Sequence, residues 1–181
     1  MPDGKMFVVG EGYKRQASAG DIALNVLGAL AGARTGVGVT KIVTTDMVMM
    51  EFNDKYKINN ATIYDKTNNT VDFSSMSDDY SQHTIGLYLK MTRAFDYEFT
   101  TGDIDNNNFQ VCYSDWVRSS DYKGQTFNSI RYNGSKFSTD KIELKSKASS
   151  MKVFPAKSGS IMIMEYFRKD KRLDFRLEKL G

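Results

Sequence analysis

An all-β fold of antiparallel hairpins and short meanders is what this sequence predicts, and three observations predict it. Tyr and Phe, at 10 and 11 residues, recur with Thr, Val and Ile along all 181 positions, and these side chains suit a pleated, half-buried surface. Short apolar runs are punctuated by clusters of Asn, Asp, Gly and Ser, the pattern of strands and turns. Most connections between those runs are too short for the crossover that parallel neighbours require. A propeller-like arrangement of a few blades is the first reading, with a sandwich or an up-and-down barrel as the alternative.

The elements follow in order. "KMFVVGEGY" (5–13) is a first strand, and "TKIVTTDMVMMEF" (40–52) turns through "NDKY" into "KINNATIYD" (57–65) as a hairpin. The Ser-, Asp- and Asn-rich stretch 66–83 reads as loop. "IGLYLKM" (85–91), "AFDYEFT" (94–100) and "FQVCYSDW" (109–116) are three further strands. "TFNSIRYN" and "KFSTDKIELK" flank Gly134-Ser135, a turn suited to positive φ. "KVFPA", "GSIMIMEYFRK" and "RLDFRLEKL" close the chain. In the last of these Leu173, Phe175, Leu177 and Leu180 nearly alternate with charges, which predicts one buried and one wet face. "VMMEFNDKYKI" (48–58) and "MIMEYFRKDKRL" (162–173) echo one another, as repeated hairpins of propeller blades would, although any two antiparallel hairpins share that pattern.

One segment departs from strand. "DIALNVLGALAGARTGVG" sets glycines at 28, 32 and 36 along an apolar run. Its spacing predicts a helix over about 18–35, capped by Ser18 or Asp21 and ended by Gly36, with Ile22, Val26 and Leu30 docked on a sheet. Ile22 to Ala33 is about half a membrane-spanning length and Arg34 follows at once, so no membrane span is expected. Gly28 and Gly32 form a stripe that a partner or a missing segment can approach closely.

Composition excludes several functions. A net charge of +3 is short of a nucleic-acid footprint, so no nucleic-acid partner is expected. Cys112, alone, allows neither an internal disulfide nor a cysteine-based zinc site. The opening "MPDGKMFVVGEGY" lacks the basic and apolar regions of a signal peptide. Its Pro-Asp-Gly turn is what a cut between two strands leaves, so the chain reads as a single all-β domain or a fragment of a larger one.

Candidate chemistry is sparse. His83 falls in "DDYSQHT" with no nucleophile or orienting partner in sequence, and Cys112 reads as a buried strand thiol. Carboxylate pairs are Asp78 with Asp79, Asp96 with Glu98, and Glu51 with Glu165; a glycosidase needs two such groups across a cleft, whereas a wet strand face carries them without any function. Asp103, Asp105 and Asn107 alternate as the first oxygen ligands of a calcium loop do, but position twelve is Ser114 and no helices flank them. Asx-rich turns also bind their own backbone. Trp116 and Tyr122, interleaved with charge in "YSDWVRSSDYKG", fit a sugar-stacking platform, a protein interface or a core edge. "FRKDKR" reads as a solvated hairpin tip.

Taken together, "DGKMFVVGEGYKR", "TTDMVMMEFNDKYK", "AFDYEF…FQVCY" and "VFPAKSGSIMIMEYFRKDKRLDFRLEKL" resemble the C-terminal portion of an uncharacterised family of long Bacteroidota proteins. The resemblance implies strand-rich, propeller-like sequence upstream and an exported protein, whether periplasmic, outer-membrane-associated or secreted. It implies no catalytic residues.

The expected function is therefore a non-catalytic binding or scaffold module of a bacterial envelope or secreted protein, with a protein or glycan partner and no cofactor other than calcium. Two alternatives stand beside it. One is a glycosidase-type carboxylate enzyme; the other is a barrel carrying an apolar ligand among Met49, Leu87, Met162 and Met164.

Overall fold

The computed structural model of the chain describes residues 4–17, 27, 30–32, 40–71, 80–103, 105–157 and 159–180. Among the described residues, eleven strands form three sheets, mostly antiparallel, and an 11-residue helix runs Gln82–Thr92. β1 (Met6–Ala17), β2 (Thr40–Phe52) and β3 (Ile58–Tyr64) lie side by side, and β4 (Asn69–Val71) pairs with β2. β5 (Tyr97–Asp103), β6 (Asn108–Arg118), β7 (Lys123–Tyr132) and β8 (Phe137–Glu143) form a meander in chain order. β9 (Ser150–Pro155), β10 (Ser160–Phe167) and β11 (Arg172–Lys179) form the third sheet in the order β11-β10-β9. Among the described residues no closed barrel is found.

The chain divides into two compact units. The first comprises Met1–Val9, Met49–Thr62 and Asp96–Gly181, and the second Gly10–Val48 and Ile63–Phe95. In the first unit the sheets β5–β8 and β9–β11 share a core of Cys112, Phe127, Leu144, Val153, Ile161 and Ile163, closed by Leu180. Each such apolar side chain, withdrawn from water, contributes roughly 1.5–3 kcal/mol. Beside that core Phe7 of β1 packs on Phe109, Tyr132 and Phe137, with ring centroids 5.0, 4.8 and 5.7 Å away. These separations suit tilted and edge-on aromatic contacts.

The second unit contains a helix where strand alternation was expected. α1 runs Gln82–Thr92, across the predicted loop end and the predicted strand 85–91. Ile, Leu, Leu and Met at 85, 87, 89 and 91 imitate a strand face, but two local signals outweigh them. Ser81 caps the start, its hydroxyl accepting from the Thr84 N–H at 3.1 Å. Arg93 adopts the left-handed region at φ 55°, and Ala94 N–H reaches back to the Leu89 carbonyl at 2.9 Å. Ile85 and Leu89, four apart, are the buried pair, packed with Ile42, Tyr13 and Phe95, while Leu87 and Met91 face water. His83 accordingly stands exposed in the first helical turn rather than in a loop, and β4 occupies part of the stretch read as loop.

Two further expectations change. The alternation in β11 is present, but Leu173, Phe175 and Leu177 are 48, 57 and 63% exposed. The strand register turns their face away from the core, whereas Leu180, past the strand end, is buried with its N–H on the Gly159 carbonyl. In the glycine-rich segment, Leu27 and Leu30 are helical and Ala31 N–H donates to the Leu27 carbonyl at 3.0 Å. Gly32 takes φ +68°, and Leu30 is exposed instead of docked. Ile22, Val26, Gly28 and Gly36 lie outside the described residues.

Candidate functional site

The β6–β7 hairpin places the two aromatics that the sequence singled out. β6 outruns β5: Tyr113 is its last residue paired with β5, so Trp116 to Arg118 project beyond that neighbour and pair with β7 alone. Trp116 lies opposite Gln125, Val117 opposite Gly124 and Arg118 opposite Lys123. The turn is closed by Ser119, whose N–H donates to the Tyr122 carbonyl at 2.8 Å and whose hydroxyl accepts the Tyr122 N–H at 3.1 Å.

Tyr122 then folds back over the hairpin. Its hydroxyl donates to the Gln125 carbonyl at 2.6 Å. A Cβ at Gly124 would sit 2.7 Å from that hydroxyl, so the missing side chain makes room for the ring. "YKG" is thus a packing unit, with glycine supplying space rather than unusual dihedrals. Burial pushes the Tyr122 phenol up, with Glu143 adding to the shift and Lys145 opposing it.

Trp116 and Tyr122 line one cleft of about 700 Å³. The segment between β8 and β9 also lines it, bringing Lys145 and Lys147, together with Met151 of β9 and Lys123 from the start of β7. Trp116 is 52% exposed, so its ring is open to a ligand rather than closing a core edge. Lys123 and Lys147 are exposed as well, and Lys145 pairs with Glu143 at 3.0 Å. That hydrogen-bonded pair raises the Lys145 ammonium, which keeps it charged throughout the neutral range. A flat aromatic surface and three cations therefore line one cleft, suited to a ring bearing negative charge.

A second cleft, of about 520 Å³, is lined by Met6, Phe7, Met49, Phe109 and Val111. Lys5, which lines it, is already held by Glu51 at 3.4 Å and the Tyr132 hydroxyl at 3.4 Å. Of the residues named for an apolar carrier, Met49 lies here. Leu87 is on α1, and Met162 and Met164 lie on β10 opposite Leu177 and Phe175.

The carboxylate candidates have protein partners of their own. Glu98 accepts from the Ser114 hydroxyl at 2.6 Å, while Asp96 offers its backbone carbonyl to Ser114 N–H at 2.9 Å. The register slips between Tyr97 and Phe99, a bulge that breaks the simple alternation expected of Asp96 and Glu98. Glu51 pairs with Lys5, and buried Glu165 pairs with Arg176 at 3.2 Å. Asp78 and Asp79 lie outside the described residues. Cys112 is fully buried and its thiol is pushed up to about 12, by burial first and Glu98 second. Such a thiol is inert at neutral pH.

The Asp103 loop is an Asx turn. Asp103 accepts the Asn106 backbone N–H at 3.2 Å through Oδ1 and the Asn106 side-chain amide through Oδ2. Those bonds hold its carboxyl below the usual range. Asn107 takes the left-handed conformation at φ 56°. Among the described residues no three His, Cys, Asp or Glu side chains converge as metal ligands.

With this geometry in view, one comparison is decisive. The chain belongs to the DUF6770 family, a family of unknown function, whose model matches residues 1–181. No curated protein and no solved structure matches the chain. For this DUF6770 member no catalytic or binding role comes from relatives. Among the described residues no helix is long and apolar enough to cross a membrane.

Proposed function

We propose that the chain is a non-catalytic binding module whose Trp116–Tyr122 cleft takes an acidic glycan. The observation that supports this reading is the exposed Trp116 ring lining the same cleft as Lys123, Lys145 and Lys147. The indole offers an apolar face to the C–H side of a sugar ring, and the ammonium groups attract its carboxylate or sulfate. Tyr122, fixed by the Gln125 carbonyl, supplies a rigid rim, so little freedom is lost on binding. The inert Cys112 thiol favours binding over nucleophilic chemistry. The resemblance to long Bacteroidota proteins with propeller-like sequence upstream supports an exported setting, where such glycans are met.

Calorimetry with a polyuronate oligosaccharide at low and physiological salt tests this. Binding is expected for the native chain, weakening with salt and falling by about tenfold in W116A, which is about 1.4 kcal/mol. A neutral oligosaccharide of equal length is expected to bind more weakly. Equal binding of native chain and W116A, or none at all, overturns the proposal.

A further inference from the structure

β11 is the free edge of its sheet and carries a charge pattern that complements itself. Among the described residues its neighbour is β10 alone. Read along the strand, residues 172–178 are Arg, Leu, Asp, Phe, Arg, Leu and Glu. The register with β10 puts Arg172, Asp174, Arg176 and Glu178 opposite Phe167, Glu165, Ile163 and Ile161, and therefore on the core side. Leu173, Phe175 and Leu177 lie opposite Tyr166, Met164 and Met162 on the outer side. This explains why the apolar stripe is exposed: a single copy has nothing to lay against it.

A two-fold axis through Phe175 resolves both faces. Antiparallel pairing of β11 with β11 of a second copy sets Arg172 against Glu178 and Asp174 against Arg176, and the two-fold makes each pair twice. The outer side then pairs Leu173 with Leu177 and Phe175 with itself. Other centres fail. An axis at Arg176 opposes Arg176 to itself and Asp174 to Glu178, and an axis at Asp174 opposes Asp174 to itself and Arg172 to Arg176. Centres at Leu173 or Leu177 keep fewer residues paired. Moving the axis by half a residue puts charged side chains opposite leucines. The register ends where the strand does, since Lys179 would next meet Lys171 in the turn. Arg176 also has one guanidinium nitrogen, Nη2, that is buried with no hydrogen-bond acceptor, although its Nε reaches Glu165. An Asp174 carboxylate arriving from a second copy brings an acceptor to that side chain.

We infer that the chain forms a two-fold homodimer through antiparallel β11–β11 pairing centred on Phe175, joining two three-stranded sheets into one of six strands. This inference is independent of the Trp116 cleft.

Sedimentation equilibrium of the full chain at about 0.15 M salt tests it. A micromolar dimer is expected, with R172E and E178R each weakening it by roughly tenfold, because each places like charges at two symmetry-related sites. R172E/E178R together are expected to restore association. Mild oxidation supplies a register test: F175C is expected to form an intermolecular disulfide, L173C alone not, and L173C/L177C again to link. Buried Cys112 stays silent in that assay. A chain that remains monomeric at about 100 μM, well above a micromolar dissociation constant, overturns the proposal. So does a link through L173C alone, or association unmoved by both charge reversals.

Discussion

Glu11 of β1 and Lys66, between β3 and β4, form an ion pair at 3.2 Å, with side chains 3% and 0% exposed. Lys66 Nζ also lies 3.4 Å from the Thr44 hydroxyl and 3.4 Å from the Thr67 carbonyl. Its backbone N–H donates to Asp46 at 3.3 Å, so the segment after β3 is tied to β1 and β2 at several atoms. Two charges withdrawn from water hold only while both remain.

K66M is accordingly expected to destabilise the second unit by about 3–5 kcal/mol, because it removes one member of a buried ion pair. The double variant E11L/K66M is expected to recover most of that loss. Urea unfolding, with the slope compared across variants, checks both. Equal stability of K66M and the native chain contradicts the arrangement.

α1 depends on its cap and on its buried pair. S81A is expected to cost about 1 kcal/mol through the lost Thr84 bond, and L89A about 2–5 kcal/mol through the cavity it leaves. R93G is expected to stabilise slightly, since glycine takes the left-handed cap without strain. Thermal melts followed by circular dichroism rank the three, and the order of S81A and L89A separates capping from packing.

Cys112 is expected to resist alkylation in the folded chain at about pH 8, where a model thiol is already partly ionised. Its pKa of about 12 and full burial leave almost no reachable thiolate. In denaturant it is expected to react fully. Mass spectrometry after iodoacetamide treatment reads the difference.

Asp103 gives a pH dependence with a fixed sign. Its folded pKa is lowered by the Asn106 bonds, so its contribution is present above the unfolded value of about 4 and lost as pH falls through the folded value. The melting difference between native chain and D103A is expected to be full at about pH 6 and to shrink as pH falls below about 4. Calcium at millimolar levels is expected to leave that difference unchanged, since both carboxylate oxygens already have protein donors. A calcium-dependent rise in the native chain alone contradicts the Asx-turn reading.

Strands were legible where the sequence carries both apolar alternation and turn chemistry. The hairpin at Gly134 is one case: Asn133 Oδ1 accepts the N–H groups of Ser135 and Lys136, and Gly134 takes φ +89°. In the 85–91 segment the alternation is a by-product of four-residue spacing, and the caps at Ser81 and Arg93 make it a helix. In the cleft, Trp116 and Tyr122 were visible as an aromatic pair amid charge. Lys145 and Lys147 were not, because only the path of the chain between β8 and β9 brings them to the same cleft.

By itself the sequence determined that this is a strand-rich chain, where most strands start and stop, and that no disulfide can staple it. Those properties are local, set by side-chain shape, turn residues and the cysteine count. Tertiary structure decided which face of each strand meets a core. Alternation in β11 says that two faces differ, but only the pairing with β10 turns its charges inward and leaves Leu173, Phe175 and Leu177 exposed. A strand has two sides of equal standing until a neighbour fixes its register.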